Sequence, residues 1–371
     1  MKHKIIILLF ICFIGSVSLW NIYSKDRSFS EQENRYLMQM PSFSIDRFIS
    51  GDFTKAFEEY ITDQFAGKTF WLSIKSAVEK MFLKKEHDGI LFGKDDFLLE
   101  RFEKPGEQIK RNTNHINYFA NKVNGMPTYF ILVPTSVEIY QDKLPLFATS
   151  YSQKQVIAET RNQLSTAVKM IDVYDSLAMK SNQYLYFRTD HHWTMRGAYE
   201  AYKNTAQVMG FMPYPLADFS IKTVSNTFLG TFYRKANAFG IKPDEIEVFK
   251  PRFSVSYQVT FDEQSTSNSL YEEKFLKKQD QYSFFLNGNH SLVRIASHVK
   301  NGQKLLVVKD SYAHIFVPFL ANHFEEIHMV DLRYYHADLY AYIKEHEIDE
   351  TLFLYNVANF STDSNMSWLK Q

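Results

Sequence analysis

The chain has 371 residues, enough for one large domain or two ordinary ones with a packed core. Its 42 Lys and Arg residues balance 42 Asp and Glu residues, so the formal net charge is zero. That balance argues against a nucleic-acid-binding protein, which normally carries a basic excess or a basic stripe. The aromatic content is high, with 33 Phe and 23 Tyr, and we interpret it mainly as core packing.

The N-terminal segment is the first predicted element. Two lysines within the first four residues precede an uncharged apolar run that ends near Tyr23. A basic start before such a run is typical of an export signal, whose positive end stays in the cytoplasm. The run reaches the minimum length of a spanning helix, so residues 1–23 are predicted to be a retained membrane anchor. Ser16 and Ser18 would permit cleavage, which leaves a secreted protein as the alternative.

Cysteine chemistry is excluded from the exported part of the chain. The only cysteine, Cys12, lies inside the apolar run. Beyond that run there is no disulfide, no Cys-based metal site and no Cys nucleophile. The chemistry must therefore come from Ser, His, Asp, Glu and similar groups, and we expect no cofactor.

Residues 24–105 are predicted to form a mostly helical N-terminal extension. Aromatic residues between Asp52 and Phe65 recur at helical spacing, which is typical of one apolar helix face. Residues 89–99 are predicted to form a short hairpin near the end of this extension.

The pattern changes to alternating helices and strands in residues 106–371. The predicted helices are 107–123, 153–168 and 195–208. The predicted strands are 128–133, 170–174, 184–187, 304–308, 326–330 and 351–355. Short apolar strands that alternate with helices indicate an α/β domain with a largely parallel sheet flanked by helices. Residues 213–297 break the alternation and are predicted to be a β-rich insertion.

Asp190, His191 and His192 form the first candidate for a chemical site, and a metal site is one interpretation. The side chains of neighbouring residues on an extended segment point to opposite sides. Asp190 and His192 would therefore lie on one face, and His191 would lie on the opposite face. One ion would then not reach all three, and no His-x-x-x-His or Glu-x-x-His pattern supplies further ligands on a helix. We therefore predict no metal.

A proton relay fits the same residues better. His192 can donate one ring N–H to the carboxylate of Asp190, which fixes its tautomer. The other ring nitrogen then stays available as a general base. This interpretation requires a nucleophile elsewhere in the chain.

Ser311 is the candidate nucleophile. The apolar strand 304–308 runs directly into it, and an apolar helix follows. A serine at such a turn lies at the carboxyl edge of the sheet, where open α/β sheets bind ligands, and a helix N-terminus can stabilise an oxyanion. The alternative is that Asp310 or Ser311 only caps the helix.

These motifs resemble the DHHW family of exported bacterial proteins, which is named for residues 190–193. The resemblance covers most of the chain and includes segments 30–37, 60–65, 133–135, 285–290, 308–312 and 355–357. The family is similar to the SGNH-like proteins that O-acetylate alginate, in which an Asp-x-His-Trp motif precedes a Ser-Tyr or Ser-Phe turn. The resemblance implies an SGNH-hydrolase-like, flavodoxin-like fold. It also implies a catalytic triad of Asp190, His192 and Ser311, with the acid and base before the serine.

The oxyanion and substrate contacts are predicted in the same way. The backbone N–H of Ser311 is one donor by position. Gly288 and Asn289 are the next candidates, because SGNH sites use a Gly N–H and an Asn side chain; an ordinary tight turn is the alternative. Tyr312 and Arg196 lie near the motifs and are predicted either to contact sugar or carboxylate or to pack.

The resemblance implies an O-acetyltransferase that acts on an extracellular or cell-wall polysaccharide. The alginate proteins operate beside a membrane-bound O-acyltransferase, so such a partner is expected. With water as the acceptor the same residues would make a carbohydrate acetylesterase. A third hypothesis is a polysaccharide-binding or assembly protein that keeps the fold without catalysis. The sequence alone does not separate these functions.

Overall fold

The computed structural model describes residues 2–30, 35–81, 85–236, 238 and 240–370. The backbone divides into two units, one of Met1–Lys84 with Arg234–Gly240 and one of Lys85–Tyr233 with Ile241–Gln371. The units part at residue 84, whereas the sequence placed the boundary at residue 105. The difference arises because the helical pattern ends near residue 81, and the strands that follow belong to the second unit.

The first unit is mostly helical, as predicted. Its elements are α1 (Lys2–Tyr23), β1 (Phe29–Ser30), β2 (Arg35–Tyr36), α2 (Ile45–Ile49), α3 (Asp52–Gln64) and α4 (Lys68–Met81). Helix α1 contains a span of 21 residues, His3–Tyr23, that is long and apolar enough to cross a membrane, with none of it buried in the protein. It is compatible with the predicted anchor or signal. The predicted apolar face of α3 places the rings of Phe53 and Phe57 in a stack 5.7 Å apart.

A small antiparallel sheet opens the second unit. Its strands are β3 (Glu86–His87), β4 (Ile90–Phe92) and β5 (Leu98–Glu100). The predicted hairpin is confirmed, and a 3₁₀ turn over Lys94–Asp96 connects β4 and β5. Asp95 and Asp96 have φ values of 55° and 63°, a left-handed conformation that Asp tolerates better than most residues.

The remaining strands form a two-stranded ribbon and an eight-stranded sheet. They are β6 (Thr128–Val133), β7 (Val168–Ile171), β8 (Phe219–Phe228), β9 (Asp244–Pro251), β10 (Tyr257–Phe261), β11 (Ser265–Ser267), β12 (Leu292–Ser297), β13 (Lys304–Lys309), β14 (Glu326–Val330) and β15 (Glu350–Asn356). Strands β8 and β9 pair with each other. The order across the large sheet is β11-β10-β12-β14-β13-β15-β6-β7.

The centre of the large sheet is parallel. Strands β14, β13, β15, β6 and β7 run in one direction, and β12, β10 and β11 extend the sheet by antiparallel pairing. Every residue of β6 is buried, which requires cover on both faces of the sheet. The predicted α/β class, with a mostly parallel sheet flanked by helices, is confirmed.

Nine helices accompany these strands in the described residues. They are α5 (Gln108–Lys122), α6 (Ser136–Ile139), α7 (Gln153–Gln163), α8 (Tyr174–Ala178), α9 (Met195–Met209), α10 (Thr231–Ala236), α11 (Ala313–Leu320), α12 (Leu339–Glu345) and α13 (Val357–Thr362). Helices α5, α7 and α13 pack against one another, and α9 packs against α11. Helix α9 begins after Thr194, whose hydroxyl accepts a hydrogen bond from the N–H of Gly197.

Two predictions about the strands are wrong. Residues 184–187 form no strand, only an isolated bridge between Tyr186 and Trp193, because the Tyr140 hydroxyl accepts the N–H groups of Leu185 and Tyr186 that a strand would use. The apolar run there reflects burial alone. Residues 213–297 are not a single insertion, since β10, β11 and β12 belong to the main sheet. Their antiparallel pairing does not produce the helix–strand alternation that marks the parallel strands.

Candidate active site

Ser311 lies in a tight connection between β13 and α11, as predicted. We call residues 309–312 the serine turn. The N–H of Asp310 donates to the carbonyl of Leu354 at 3.1 Å, which fixes the turn against β15. The Asp310 carboxylate accepts hydrogen bonds from the N–H groups of Tyr312 at 2.9 Å and Asn356 at 2.8 Å. The N-cap position of α11 is Tyr312, so neither Asp310 nor Ser311 is merely a helix cap.

His192 lies between Ser311 and Asp190. Its Nε2 is 2.7 Å from the Ser311 Oγ, and its Nδ1 is 2.5 Å from the Asp190 Oδ1. All three residues are at least nine-tenths buried, with 9, 4 and 2% of Ser311, His192 and Asp190 exposed. The geometry is that of a base held between an acid and a hydroxyl.

The Asp190 carboxylate is held in its ionised form. Burial raises its pKa, but electrostatic interactions with the two neighbouring imidazoles and hydrogen bonds from His192 and the Thr231 N–H outweigh that effect, so the pKa lies well below its usual range. An ionised carboxylate only accepts hydrogen bonds. The proton of His192 therefore lies on Nδ1, and the Nε2 lone pair points at Ser311.

Residues distant in sequence hold Asp190 in place. The segment 188–193, which we call the acid–base loop, consists of bends and one bridge residue. The Thr231 N–H donates to the Asp190 Oδ2 at 2.7 Å. A Cβ on Gly230 would lie 2.2 Å from the Cβ of Asp190, so only glycine fits there. Asp244 accepts hydrogen bonds from the N–H and the hydroxyl of Thr189, at 2.8 and 2.5 Å.

Tyr282 joins the acid–base loop to the serine turn. Its ring stacks on His192 with centroids 3.5 Å apart and 6° between the planes. Its hydroxyl donates to the carbonyl of Ser311 at 2.8 Å. Tyr282 therefore restricts rotation of the His192 ring and also contacts Ser311, the residue that this ring faces.

The predicted position of His191 is wrong. The acid–base loop is bent, so side chains do not alternate, and the ring of His191 lies 3.7 Å from that of His192. Its Nδ1 is 3.6 Å from the Asp190 Oδ1. Surrounding protein atoms and His192 lower the pKa of His191 to about 4, although 30% of its side chain is exposed. His191 is therefore neutral at pH 7.

The same bend removes the geometric objection to a metal ion. Asp190, His191 and His192 each offer one ligand atom, and these atoms lie within 4.8 Å of one another. Two imidazoles and a carboxylate are a donor set that suits zinc. Both ring nitrogens of His192 are hydrogen-bonded, however, so an ion there would displace either Asp190 or Ser311.

Comparison with known proteins decides the family. A sequence profile described as DHHW protein matches residues 108–330, which is more than half of the chain. The chain belongs to the DHHW family. No match was found among curated proteins.

Two solved structures agree with the fold, and one of them is a DHHW family protein. A DHHW family protein from Eubacterium siraeum is 27% identical, with a TM-score of 0.67 over 77% of this chain and 96% of that one. PatB1 of Bacillus cereus is 25% identical, with a TM-score of 0.64 over 74% of this chain and 98% of that one, and has also been solved with a sulfonyl adduct. The O-acetyltransferase domain of Pseudomonas putida AlgJ is 14% identical, with a TM-score of 0.47 over 76% and 98% of the two chains.

Two of the predicted oxyanion or substrate groups of this DHHW protein have structural partners instead. The Gly288 N–H donates to the carbonyl of Phe285 at 3.3 Å within a tight turn. The Tyr312 hydroxyl donates to the carbonyl of His191, and its ring is fully buried. The tight-turn alternative thus describes Gly288, and Tyr312 braces the acid–base loop.

The remaining predicted contacts of the DHHW chain are Asn289, Arg196 and the Ser311 N–H, and they differ in whether another group already occupies them. The Asn289 side-chain oxygen accepts a hydrogen bond from Arg333 at 3.4 Å. Arg196 makes a bidentate ion pair with Glu247, with two N···O distances of 2.7 Å, so its guanidinium is already satisfied. The Ser311 N–H donates to no other group in the part of the chain that the structure describes. Among the predicted donors in the described residues, this N–H and the side-chain amide N–H groups of Asn289 stay available.

A buried ion pair beneath the serine turn was not predicted. Lys309 donates to the Asp331 carboxylate at 2.9 Å and to the Nε2 of His314 at 2.8 Å. Burial lowers the pKa of Lys309, and the charge of Asp331 opposes that shift. The charged residues at the ends of β13 and β14 were visible in the sequence, but nothing there indicated that they pair. Tyr282 carried no sequence signal of its role either, since it lies 90 residues from His192.

Proposed function

We propose that this DHHW family protein is an exported, membrane-tethered enzyme that transfers an acetyl group to a hydroxyl of an extracellular or cell-wall polysaccharide. Asp190, His192 and Ser311 act as its catalytic triad. One observation carries the proposal: His192 presents Nε2 to the Ser311 Oγ at 2.7 Å while an ionised carboxylate holds Nδ1. A hydroxyl is a weak nucleophile, and such a base activates it.

The first half-reaction loads the serine. The Ser311 Oγ attacks the carbonyl carbon of the acetyl donor while its proton passes to the Nε2 of His192. Asp190 stabilises the imidazolium that forms, and the Ser311 N–H faces the developing oxyanion. The bond to the donor's leaving group then breaks as His192 returns the proton to it, and Ser311 carries the acetyl ester.

The second half-reaction transfers the acetyl group. A sugar hydroxyl gives its proton to His192 and attacks the ester carbonyl. The Ser311 Oγ leaves and recovers the proton from His192, so the acetyl group ends on the sugar and the enzyme is restored. Water in place of the sugar hydroxyl would yield acetate, which is the acetylesterase alternative.

The resemblance to alginate O-acetylation proteins supports transfer over hydrolysis, and it supports a membrane-bound O-acyltransferase as the partner that supplies acetyl groups. The apolar helix α1 supports a location at the outer face of the membrane. A non-catalytic binding protein is disfavoured because binding alone does not require an imidazole aligned between a carboxylate and a serine hydroxyl.

Replacement of Ser311 tests the proposal. Ser311→Ala is expected to abolish both hydrolysis of an activated aryl acetate and transfer to a glycan, while the melting temperature stays near that of the wild type because only one oxygen atom is lost. Ser283→Ala is the matched control, since Ser283 is hydrogen-bonded to Asp280 outside the triad. Full activity of Ser311→Ala would exclude the serine mechanism.

A further inference from the structure

The second unit contains an open cleft that neither the triad nor the predicted contacts use. Its volume is about 400 Å³. One wall is the segment 100–106, which begins at the last residue of β5, and the other is formed by residues of α13. This volume falls within the range of roughly 300–1,000 Å³ that is usual for ligand sites.

The α13 wall is connected to the serine turn. Asn359 lines the cleft, and its Nδ2 donates to the Asp310 Oδ2 at 3.2 Å. Asp310 immediately precedes Ser311. Helix α13 follows β15, which pairs with β13, so both elements leave the same carboxyl edge of the sheet.

The other wall is connected to the acid–base loop. The Leu98 N–H of β5 donates to the carbonyl of Arg188 at 2.8 Å, two residues before Asp190. Glu100, at the end of β5, lines the cleft. Burial dominates the lowered pKa of His191, and the charge of Glu100 opposes it. Both halves of the triad therefore connect to this cleft.

The chemistry of the lining favours an uncharged, hydroxyl-rich ligand. Two acidic residues and two basic residues line the cleft, so their formal charges cancel; they are Glu100, Glu103, Arg101 and Lys104. A polyanion would instead require an excess of Lys and Arg. Amide, hydroxyl and carboxylate groups supply both donors and acceptors, as sugar hydroxyls need. The aromatic residue of the lining, Phe102, is 7% exposed and belongs to the core.

We propose that this cleft binds the acceptor, an uncharged segment of polysaccharide, and directs one of its hydroxyls to the acetylated Ser311. The inference rests on the proposed function and adds the acceptor class to it. A second cleft of about 200 Å³ near Arg196 and Lys242 is smaller, and the Arg196–Glu247 ion pair occupies part of its lining. It provides the control position.

The experiment fills each cleft with a bulky side chain. Ala358→Trp and, as a second variant, Thr362→Trp obstruct the proposed acceptor cleft, and Lys242→Trp obstructs the smaller one. Transfer to cellotetraose and hydrolysis of an aryl acetate are measured for each folded variant. The ratio of transfer to hydrolysis is expected to fall at least about 10-fold in the acceptor-cleft variants, because a blocked pocket loses binding energy without loss of the triad. Lys242→Trp is expected to keep the wild-type ratio.

Binding without turnover separates this inference from the proposed function. Cellotetraose and a tetrauronate of equal length are titrated into Ser311→Ala by calorimetry, with and without Ala358→Trp. Binding of cellotetraose in preference to the tetrauronate, lost with Ala358→Trp, supports the cleft even if no acetyl transfer is found. An active triad with binding that Ala358→Trp leaves unchanged, or a preference for the tetrauronate, would overturn the cleft and leave the proposed function standing.

Discussion

The serine turn and the acid–base loop are positioned by different means. Regular structure positions the serine turn: a buried strand precedes it, a helix follows it, and Asp310 ties it to β15. The acid–base loop has no regular structure, and three residues hold it from 40 to 90 positions away in sequence from the residue that each contacts: Gly230, Thr231 and Tyr282. A base and an acid from an irregular loop therefore meet a serine from a regular turn only when tertiary contacts specify the loop.

Removal of the acid or the base should have the largest effect. His192→Ala is expected to lower kcat by about 10²–10⁴-fold, the usual value of general-base catalysis. Asp190→Asn should lower kcat by a similar factor, because an amide can hold the His192 imidazole in the wrong tautomer. Single-turnover kinetics with an aryl acetate measures both, with melting curves as the folding control. If either variant kept wild-type kcat, the acid–base loop would have no role in the chemistry.

Tyr282 tests whether the contact between the two regions matters. Tyr282→Leu removes the stack on His192 and is expected to lower kcat by roughly 10-fold with little change in KM, because imprecise positioning affects the transition state. Tyr282→Phe keeps the stack and loses the hydrogen bond to Ser311, so it should recover most of kcat. Equal losses in both variants would show that the hydroxyl, and not the stacked ring, is the contact that counts.

Gly230 tests the packing of the acid–base loop. Gly230→Ala would press a methyl group against Asp190 and is expected to destabilise the protein by roughly 1–3 kcal/mol, as overpacking usually does. Gly106→Ala is the stability control, since a Cβ there meets nothing within 4 Å. Chemical denaturation measures both. An unchanged free energy of unfolding for Gly230→Ala would mean that the acid–base loop can shift to accommodate the methyl group without loss of stability.

His191 should have the smallest effect on chemistry. His191→Gln is expected to keep kcat within about 10-fold, less than general-base catalysis is worth. Because the pKa of His191 falls from 6.5 to about 4 on folding, the unfolded chain binds more protons between these pH values, so stability is lost as pH falls through that range. The melting temperature of His191→Gln should therefore fall less between pH 6.5 and pH 4 than that of the wild type.

A chelator is the matching test for the metal interpretation. EDTA is expected to leave the activity of the wild type unchanged. Loss of activity that added zinc restores, together with an inactive but folded His191→Gln, would make Asp190, His191 and His192 a metal site.

The same contrast between the two regions explains what the sequence could predict. Strand β6 and the turn at Ser311 followed from continuous apolar runs, because a buried parallel strand has that composition. The pairing of Asp190, His192 and Ser311 followed from the family resemblance. The position of His191 was missed because alternation assumes an extended backbone. Tyr282 and Gly230 were missed because their roles arise only from tertiary contacts.

The proposed mechanism requires Ser311 to carry the acetyl group, and the intact mass of the enzyme during a single turnover tests this step. After rapid mixing with an aryl acetate and an acid quench, the wild type should gain one acetyl group, and peptide mapping should place it on Ser311. Ser311→Ala should gain none. An acetyl group on another residue, or turnover without any acetylated enzyme in either protein, would contradict this mechanism.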